Sequence, residues 1–201
     1  MENTQEAAIE NSPYVPEGET PARILDLCFV SFREKGFANV ALDDISKELR
    51  ISKKTIYKYF KSKEDVLARC FDVQIAKAEK DLKKINIEKS GGAASFIELS
   101  RFYRSVSALF EPLLTDSALD EFPHLREKYQ VFESLSLKKS FSKFLKNLRN
   151  AKAIQYPSPT RDLVSAWLEA VKGMKNTGEV QLEFICKNFF KGLDAKQKKK
   201  K

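Results

Sequence analysis

Apolar residues recur three and four positions apart along almost the whole chain, and no run of alternating β-branched residues interrupts them, so the pattern predicts helices throughout. The first stripe is Ile24, Leu25, Cys28, Phe29 and Phe32. It follows Thr20-Pro21, an N-cap with proline at the first helical position, and Gly36 ends it. A second, shorter face is formed by Leu42, Ile45 and Leu49, with Asp43 and Asp44 where carboxylates suit a helix N-terminus. The third is the segment SKKTIYKYFKSK, Ser52 to Lys63, in which Ile56 and Phe60 share one face and Ser52 is a suitable N-cap. Only Arg50 and Ile51 separate the second helix from this cap, and two short helices joined by so tight a turn predict a helix-turn-helix.

Longer stripes follow. Ser62 and Asp65 form an S-x-x-D capping box, after which Leu67, Phe71, Ile75, Ala78, Leu82 and Ile85 hold one face until Gly91-Gly92. Phe96, Leu99, Tyr103, Val106 and Phe110 mark the next helix, expected to stop near Glu111-Pro112 because a residue before proline avoids helical geometry. A polar break spans Thr115 to Asp120. Beyond Phe122-Pro123 a long segment carries Leu125, Tyr129, Phe132, Leu137, Phe141, Phe144 and Leu148, with Lys138, Lys139, Lys143, Lys146 and Arg149 on its outer faces. Leu163, Ala166, Trp167, Ala170, Val171 and Met174 mark a helix capped by Thr160. Leu182, Ile185, Cys186, Phe189 and Leu193 mark the last one, entered through Asn176-Thr177-Gly178. Val180, Phe184 and Phe190 widen that last apolar surface beyond a single stripe, so this helix needs more than one partner.

Charge sharpens the third helix. From Arg50 to Lys63 the chain carries Arg50, Lys53, Lys54, Lys58, Lys61 and Lys63 and no acid, and Lys53, Lys54, Thr55, Tyr57 and Lys58 are left to point outward. A basic, hydroxyl-rich exposed face on a short anchored helix suits a DNA groove, although an ordinary solvated face is the plain alternative. The net charge of +8 over 201 residues favours polyanionic partners, and a hydrophobic fraction of 42% is ample for a core. No apolar run approaches the roughly 20 residues that cross a bilayer, and no signal-peptide pattern opens the chain, which leads us to expect a cytoplasmic protein without a membrane partner. Cys28, Cys70 and Cys186 lie far apart without CxxC spacing, so they read as small core residues rather than a disulfide or zinc framework. His124 is the single histidine, no HExxH, GxSxG, P-loop or GxGxxG is present, and neither catalysis nor a cofactor or metal is implied.

The run ILDLCFVSFREKGFANVALDDISKELRISKKTIYKYFKSKEDVL resembles the N-terminal DNA-binding domain of the TetR (tetracycline repressor-like) family over roughly residues 21 to 67. The likeness joins a helix ending in Glu34-Lys35-Gly36-Phe37, a helix centred on Asp44-Ile45, and Ser52 to Phe60 at the family's spacings. Two positions depart from it: Ala41 stands where Ser or Thr usually caps the second helix, and Arg50 where a turn glycine is common. A left-handed arginine there costs on the order of 1 kcal/mol. Either its guanidinium gains a phosphate or the turn is of another kind.

Composition sets off a disordered acidic leader over residues 1–19 and a low-complexity basic tail over 196–201, and between them the resemblance implies an all-α protein with a three-helix helix-turn-helix domain over 20–66 and a larger helical ligand-binding and dimerisation domain over 67–195. It implies a homodimer that binds a palindromic double-stranded DNA operator and answers to a small-molecule effector, most simply as a repressor. Arg50, Ser52, Lys53, Lys54, Thr55, Tyr57, Lys58, Tyr59 and Lys63 are then the DNA-contact candidates, with Tyr57, Tyr59 and Lys63 on the phosphate backbone. The aromatic surplus Phe96, Tyr103, Phe110, Phe132, Phe141 and Trp167 gives pocket candidates, and core packing accounts for it equally well. Leu163, Trp167, Ala170, Phe184 and Phe189 are the candidates for the dimer interface. The alternative from another class is a basic helical scaffold that holds nucleic acid or an anionic membrane without sequence choice.

Overall fold

The structure, a computed structural model, describes residues 16–85 and 92–193; the proposed leader to residue 15 and the basic tail lie outside them. Among the described residues there are nine α-helices and no strand. They are α1 (Glu19–Lys35), α2 (Leu42–Glu48), α3 (Lys53–Tyr59), α4 (Lys63–Lys84), α5 (Gly92–Leu114), α6 (Pro123–Phe132), α7 (Lys139–Asn150), α8 (Thr160–Gly173) and α9 (Glu179–Gly192). A π-helical stretch, Glu133–Lys138, joins α6 to α7 as one rod, and a 3-10 turn, Ser117–Glu121, fills part of the polar break.

The predicted stripes mostly coincide with buried faces, but in α8 Ala166 and Ala170 are exposed, and Val164 and Leu168 are buried beside Trp167 and Val171 instead. In α1 the side chains of Ile24, Leu25, Cys28, Phe29 and Phe32 are all buried, and they close a small core with Leu42 and Ile45 of α2, Ile56 of α3, and Phe60 just beyond it. Gly36 ends α1 at φ 81°, a left-handed value that glycine adopts without steric cost. Helix α5 is central to the rest: it packs against α8 and α9 on one side and against α1 and α4 on the other. Phe110 of α5 meets Phe29 of α1 at 6.1 Å and Phe71 of α4 at 5.3 Å between ring centres, so the three-helix head and the body share one continuous apolar core. The expected domain boundary at 66/67 falls within the first turns of α4, the helix that belongs to both parts.

The helix ends correct the sequence reading in three places. Gly18, not Thr20, is the N-cap of α1, and Pro21 sits in the first turn, where its missing N–H is one that no intrahelical acceptor needs. Helix α5 runs through Pro112 to Leu114. Proline this close to the end forfeits a single hydrogen bond, while Leu113 is fully buried and Thr115 N–H still donates to the Glu111 carbonyl at 3.0 Å. Thr160 does not cap α8: Pro159 holds that position, and the Thr160 hydroxyl pairs with that of Tyr156 at 2.8 Å.

Candidate nucleic-acid interface

The turn before α3 is set by backbone hydrogen bonds. Arg50 N–H donates to the Lys47 carbonyl at 3.1 Å and Ile51 N–H to the Ser46 carbonyl at 3.0 Å, the double closure that ends a helix on a left-handed residue. Arg50 is that residue, at φ 56°, so the departure from glycine is accommodated with its strain and its side chain left exposed. Ala41 precedes α2 without a side-chain cap, and Asp43 and Asp44 in the first turn compensate the exposed N–H groups.

Helix α3 is fixed from below and open above. Ile56 is fully buried and Phe60 nearly so, whereas Lys53, Lys54, Tyr57, Lys58 and Tyr59 are exposed on the opposite side. Ser52 caps it: its hydroxyl oxygen accepts from Thr55 N–H at 3.0 Å and pairs with the Thr55 hydroxyl at 2.8 Å. That cap engages both hydroxyls, which separates them from the free lysines. Lys53 is held by Asp43 of α2 at 2.7 Å, and this hydrogen bond, then the charge of Asp43, raises its pKa. Among the described residues Lys54 and Lys58 have no ion pair, and Lys58 lies over the Tyr59 ring at 5.5 Å. The outward lysines of α3 therefore differ: one braces the helix-turn-helix, and two face solvent.

Lys63 opens α4 behind a serine cap, Ser62, whose oxygen accepts from Asp65 N–H at 3.1 Å. The reciprocal arm of that box reaches one residue further back, with Lys61 N–H donating to Asp65 Oδ2 at 2.9 Å. Lys63 does not extend into solvent. Its ammonium lies 4.4 Å over the Phe37 ring and donates to the Ala38 carbonyl at 3.4 Å, and partial burial lowers its pKa against the opposing pull of Asp116.

Asp116 gave no signal in the sequence, and it joins the head to the body. Its carboxylate accepts the Phe37 N–H at 2.7 Å across 79 positions of chain, and its other oxygen caps the 3-10 turn through Ala118 N–H at 2.9 Å. Phe37 also meets Phe122 edge-on at 5.4 Å. Two further ties run from α4 to the α6–α7 rod: Lys128 to Asp72 at 2.5 Å and Ser136 to Glu79 at 2.7 Å.

The six aromatic pocket candidates are buried and pack on one another or on neighbouring rings. Phe96 meets Phe141 at 6.2 Å and Trp167 at 4.9 Å, Tyr103 meets Phe141 at 6.4 Å, Phe110 meets Tyr129 at 5.0 Å, and Tyr129 meets Phe132 at 6.1 Å. Trp167 also stacks on Phe189 at 4.2 Å and donates its indole N–H to Ser100 Oγ at 3.0 Å. Both residues thus spend much of their surface inside the subunit. Of the other interface candidates, Leu163 is half-buried, Ala170 is exposed, and Phe184 is 68% exposed beside Val180 at 83%. The three thiols are buried, and burial pushes that of Cys28 up to about 12 and raises those of Cys70 and Cys186, which suits core residues rather than nucleophiles. No helix among the described residues is long and apolar enough to cross a membrane.

Residues 24–70 match the family of bacterial regulatory proteins described as the tetR family, the segment that spans α1 to the first turns of α4. No curated protein matches the chain in sequence. Solved structures share the fold over nearly the whole chain. A protein of Saccharomonospora viridis, described as a transcriptional regulator and solved in complex with choline, superposes with a TM-score of 0.73 at 17% identity over 87% of this chain and 97% of its own. A TetR-family transcriptional regulator from Cytophaga hutchinsonii gives 0.67 at 20% identity over 89% and 98%. The fatty acid degradation regulator FadR from Bacillus halodurans gives 0.65 at 17% identity over 88% and 95%. At such identities the likeness concerns the fold.

Proposed function

Taking the chain as a member of the tetR family of bacterial regulatory proteins, the family that its residues 24–70 match, we propose that this DNA-binding regulator is a ligand-responsive repressor that binds a palindromic operator as a homodimer. The observation that carries the reading is the face of α3: Lys54 and Lys58 unpaired among the described residues, Tyr57 beside them, on a helix capped by Ser52 and rooted by Ile56 and Phe60. The first turns of such a helix reach base edges in a major groove. Lys54 and Lys58 read sequence, while Arg50, Tyr59 and Lys63 hold phosphates, Lys63 after leaving the Phe37 ring. Ser52, Thr55 and Lys53 act chiefly by fixing the helix, through the cap and the Asp43 pair.

Dimerisation is supported by Phe184 and Val180 of α9, large apolar side chains left in water by one subunit at roughly 25 cal/mol per Å² of exposed surface, and by the exposed Ala166 and Ala170 of α8. A two-fold pairing through α8 and α9 would cover them and set the spacing of two recognition helices on one operator. Response to a ligand is supported by the Asp116 joint: a shift at the end of α5 moves the acceptor that positions Phe37 between α1 and α2.

The test is selection of bound genomic fragments, followed by affinities for the selected operator and a scrambled duplex at several salt concentrations. Lys54→Ala and Lys58→Ala should each lose about 1 to 3 kcal/mol on the operator and little on scrambled DNA, and Lys63→Ala should weaken both and make the salt slope shallower by about one unit per half-site. Equal losses on both duplexes for Lys54→Ala and Lys58→Ala would favour the scaffold alternative, to which the exposed cations of α7 also lend themselves. Phe184→Glu should sediment as a monomer and lose the two-half-site operator.

A further inference from the structure

Beside the packed aromatic core lies a cavity of about 190 Å³ between α5, α6 and the end of α8. The Tyr129 ring, Ala108 and Leu114 supply apolar wall. Ser107 supplies a buried hydroxyl that makes no hydrogen bond of good geometry, with the Tyr129 hydroxyl as a neighbouring polar group. A buried hydroxyl left unpaired is destabilising until something provides its partner.

The lining also carries charge, and all of it is engaged. Arg104 pairs with Glu179 and donates to the Thr177 carbonyl at 2.7 Å. Lys172 pairs with Glu133 at 2.8 Å and Glu169 at 3.2 Å, and Lys175 pairs with Glu111. No cation there awaits an anion, and the single lining carboxylate already holds an ammonium. A charged ligand would have to break one of these pairs or lose its hydration without compensation, whereas a neutral one meets neither penalty. Size narrows the class further. An apolar cavity of about 150 Å³ holds benzene, so this one accommodates a single ring with a small substituent.

We infer that the cavity binds a neutral, monocyclic, phenol-like molecule whose hydroxyl pairs with Ser107 Oγ while its ring lies against Tyr129 and Leu114. The inference rests on the reading of the body as effector-responsive and names the class of effector. Its occupant would touch Leu114, whose carbonyl accepts from Arg126 at 3.2 Å. Arg126 in turn donates to the carbonyl of Asp116 at 3.1 Å, the residue that holds Phe37 in the head.

The full-length protein is titrated by calorimetry with p-cresol, toluene, benzoate and benzylamine. We expect saturable binding of p-cresol, toluene weaker by about five- to ten-fold for the missing hydrogen bond, and no binding of the two ions over the same range. Ser107→Ala should bring p-cresol down to the level of toluene and leave toluene unchanged, and Ala108→Phe should abolish both while the helical circular dichroism persists. Failure of p-cresol to saturate, equal affinity for toluene in the wild type, tighter binding of benzoate or benzylamine, or a hydroxyl preference that survives Ser107→Ala would each overturn the proposal. Operator affinity is measured separately with and without p-cresol. Binding in the expected pattern with unchanged operator affinity would leave the site standing and overturn the effector reading beneath it.

Discussion

The head and the body of this protein place their polar chemistry on opposite sides of their cores. In the head, α2 and α3 are 7 residues each, and the Lys53–Asp43 pair is more than half exposed. In the body, α5 alone has 23 residues, and Glu133, only 7% exposed, sits among the aromatic rings. It accepts from the Tyr103 hydroxyl at 2.8 Å and pairs with Lys172 at 2.8 Å. Burial by itself would raise the Glu133 carboxyl, but the hydrogen bonds from Lys172 and Tyr103 and the lysine charges hold it below the usual carboxylate range. Burial and the same carboxylate push the Tyr103 phenol up, and Lys172 stays above the ordinary lysine value in spite of its own burial, held by Glu133. Surface charge is free to meet a partner and contributes little to stability, whereas buried charge is tied to its partner and its loss is expensive. Substitutions should therefore separate into those that unfold the body and those that alter only what the head touches.

The largest effect is expected at the ring cluster. Phe96 is fully buried and faces Phe141, Phe144, Trp167, Phe189 and Phe190, so Phe96→Ala should destabilise by about 3 to 5 kcal/mol in urea unfolding. A loss under 1 kcal/mol would mean that the cluster is loosely packed. Next comes Lys172→Met, which leaves the Glu133 carboxylate with Tyr103 and the more distant Lys138, at 3.4 Å, and should cost about 2 to 3 kcal/mol near neutral pH because the lysine is itself a third exposed. The sign with pH follows from the lowered Glu133 pKa. Its stabilisation in the wild type is complete above the unfolded value of roughly 4.3 and is lost as pH falls through the lower folded value. In the variant burial dominates, the folded pKa rises, and the carboxyl protonates at little cost. The stability gap between the two proteins should narrow on acidification, and a constant gap from pH 7 to 3.5 would deny Glu133 its part.

Smaller effects probe the joint and the caps. Asp116→Ala removes the acceptor for Phe37 N–H and the cap of the 3-10 turn, for about 1 to 2 kcal/mol, and Asp116→Asn, which keeps an acceptor oxygen, should lose less. Equal losses would place the effect in the charge rather than in the hydrogen bond. The smallest change compares one motif in both regions. Lys152, after α7, repeats the geometry of Arg50: φ is 56° at both, and Lys152 N–H and Ala153 N–H donate at 2.9 Å to the carbonyls of Arg149 and Leu148. Arg50→Gly and Lys152→Gly should each gain about 0.5 to 1 kcal/mol. Only Arg50→Gly should weaken DNA binding, and an unchanged affinity would leave Arg50 as a turn residue and nothing more.

What the sequence by itself determined is what local spacing controls. Stripes of period 3.6, the Ser52 and Ser62 caps, the Gly36 stop and the tight Arg50-Ile51 turn are relations among residues a few positions apart, so the three-helix head and its basic face were legible, as was the all-α body. The ends of α1, α5 and α8 were misplaced because packing outweighs a single proline or threonine, as at buried Leu113 beyond Pro112. Only the tertiary structure decided which aromatics face inward. Trp167 and Phe184 both lie on apolar faces in the pattern, yet one bonds Ser100 in the core and the other stands in solvent. Nor could any spacing bring Asp116 to Phe37, Glu133 to Lys172, or leave Ser107 unpaired beside a cavity. Those contacts span tens of residues and follow from how α5 crosses its neighbours, a property of the packed whole that no short stretch of chain encodes.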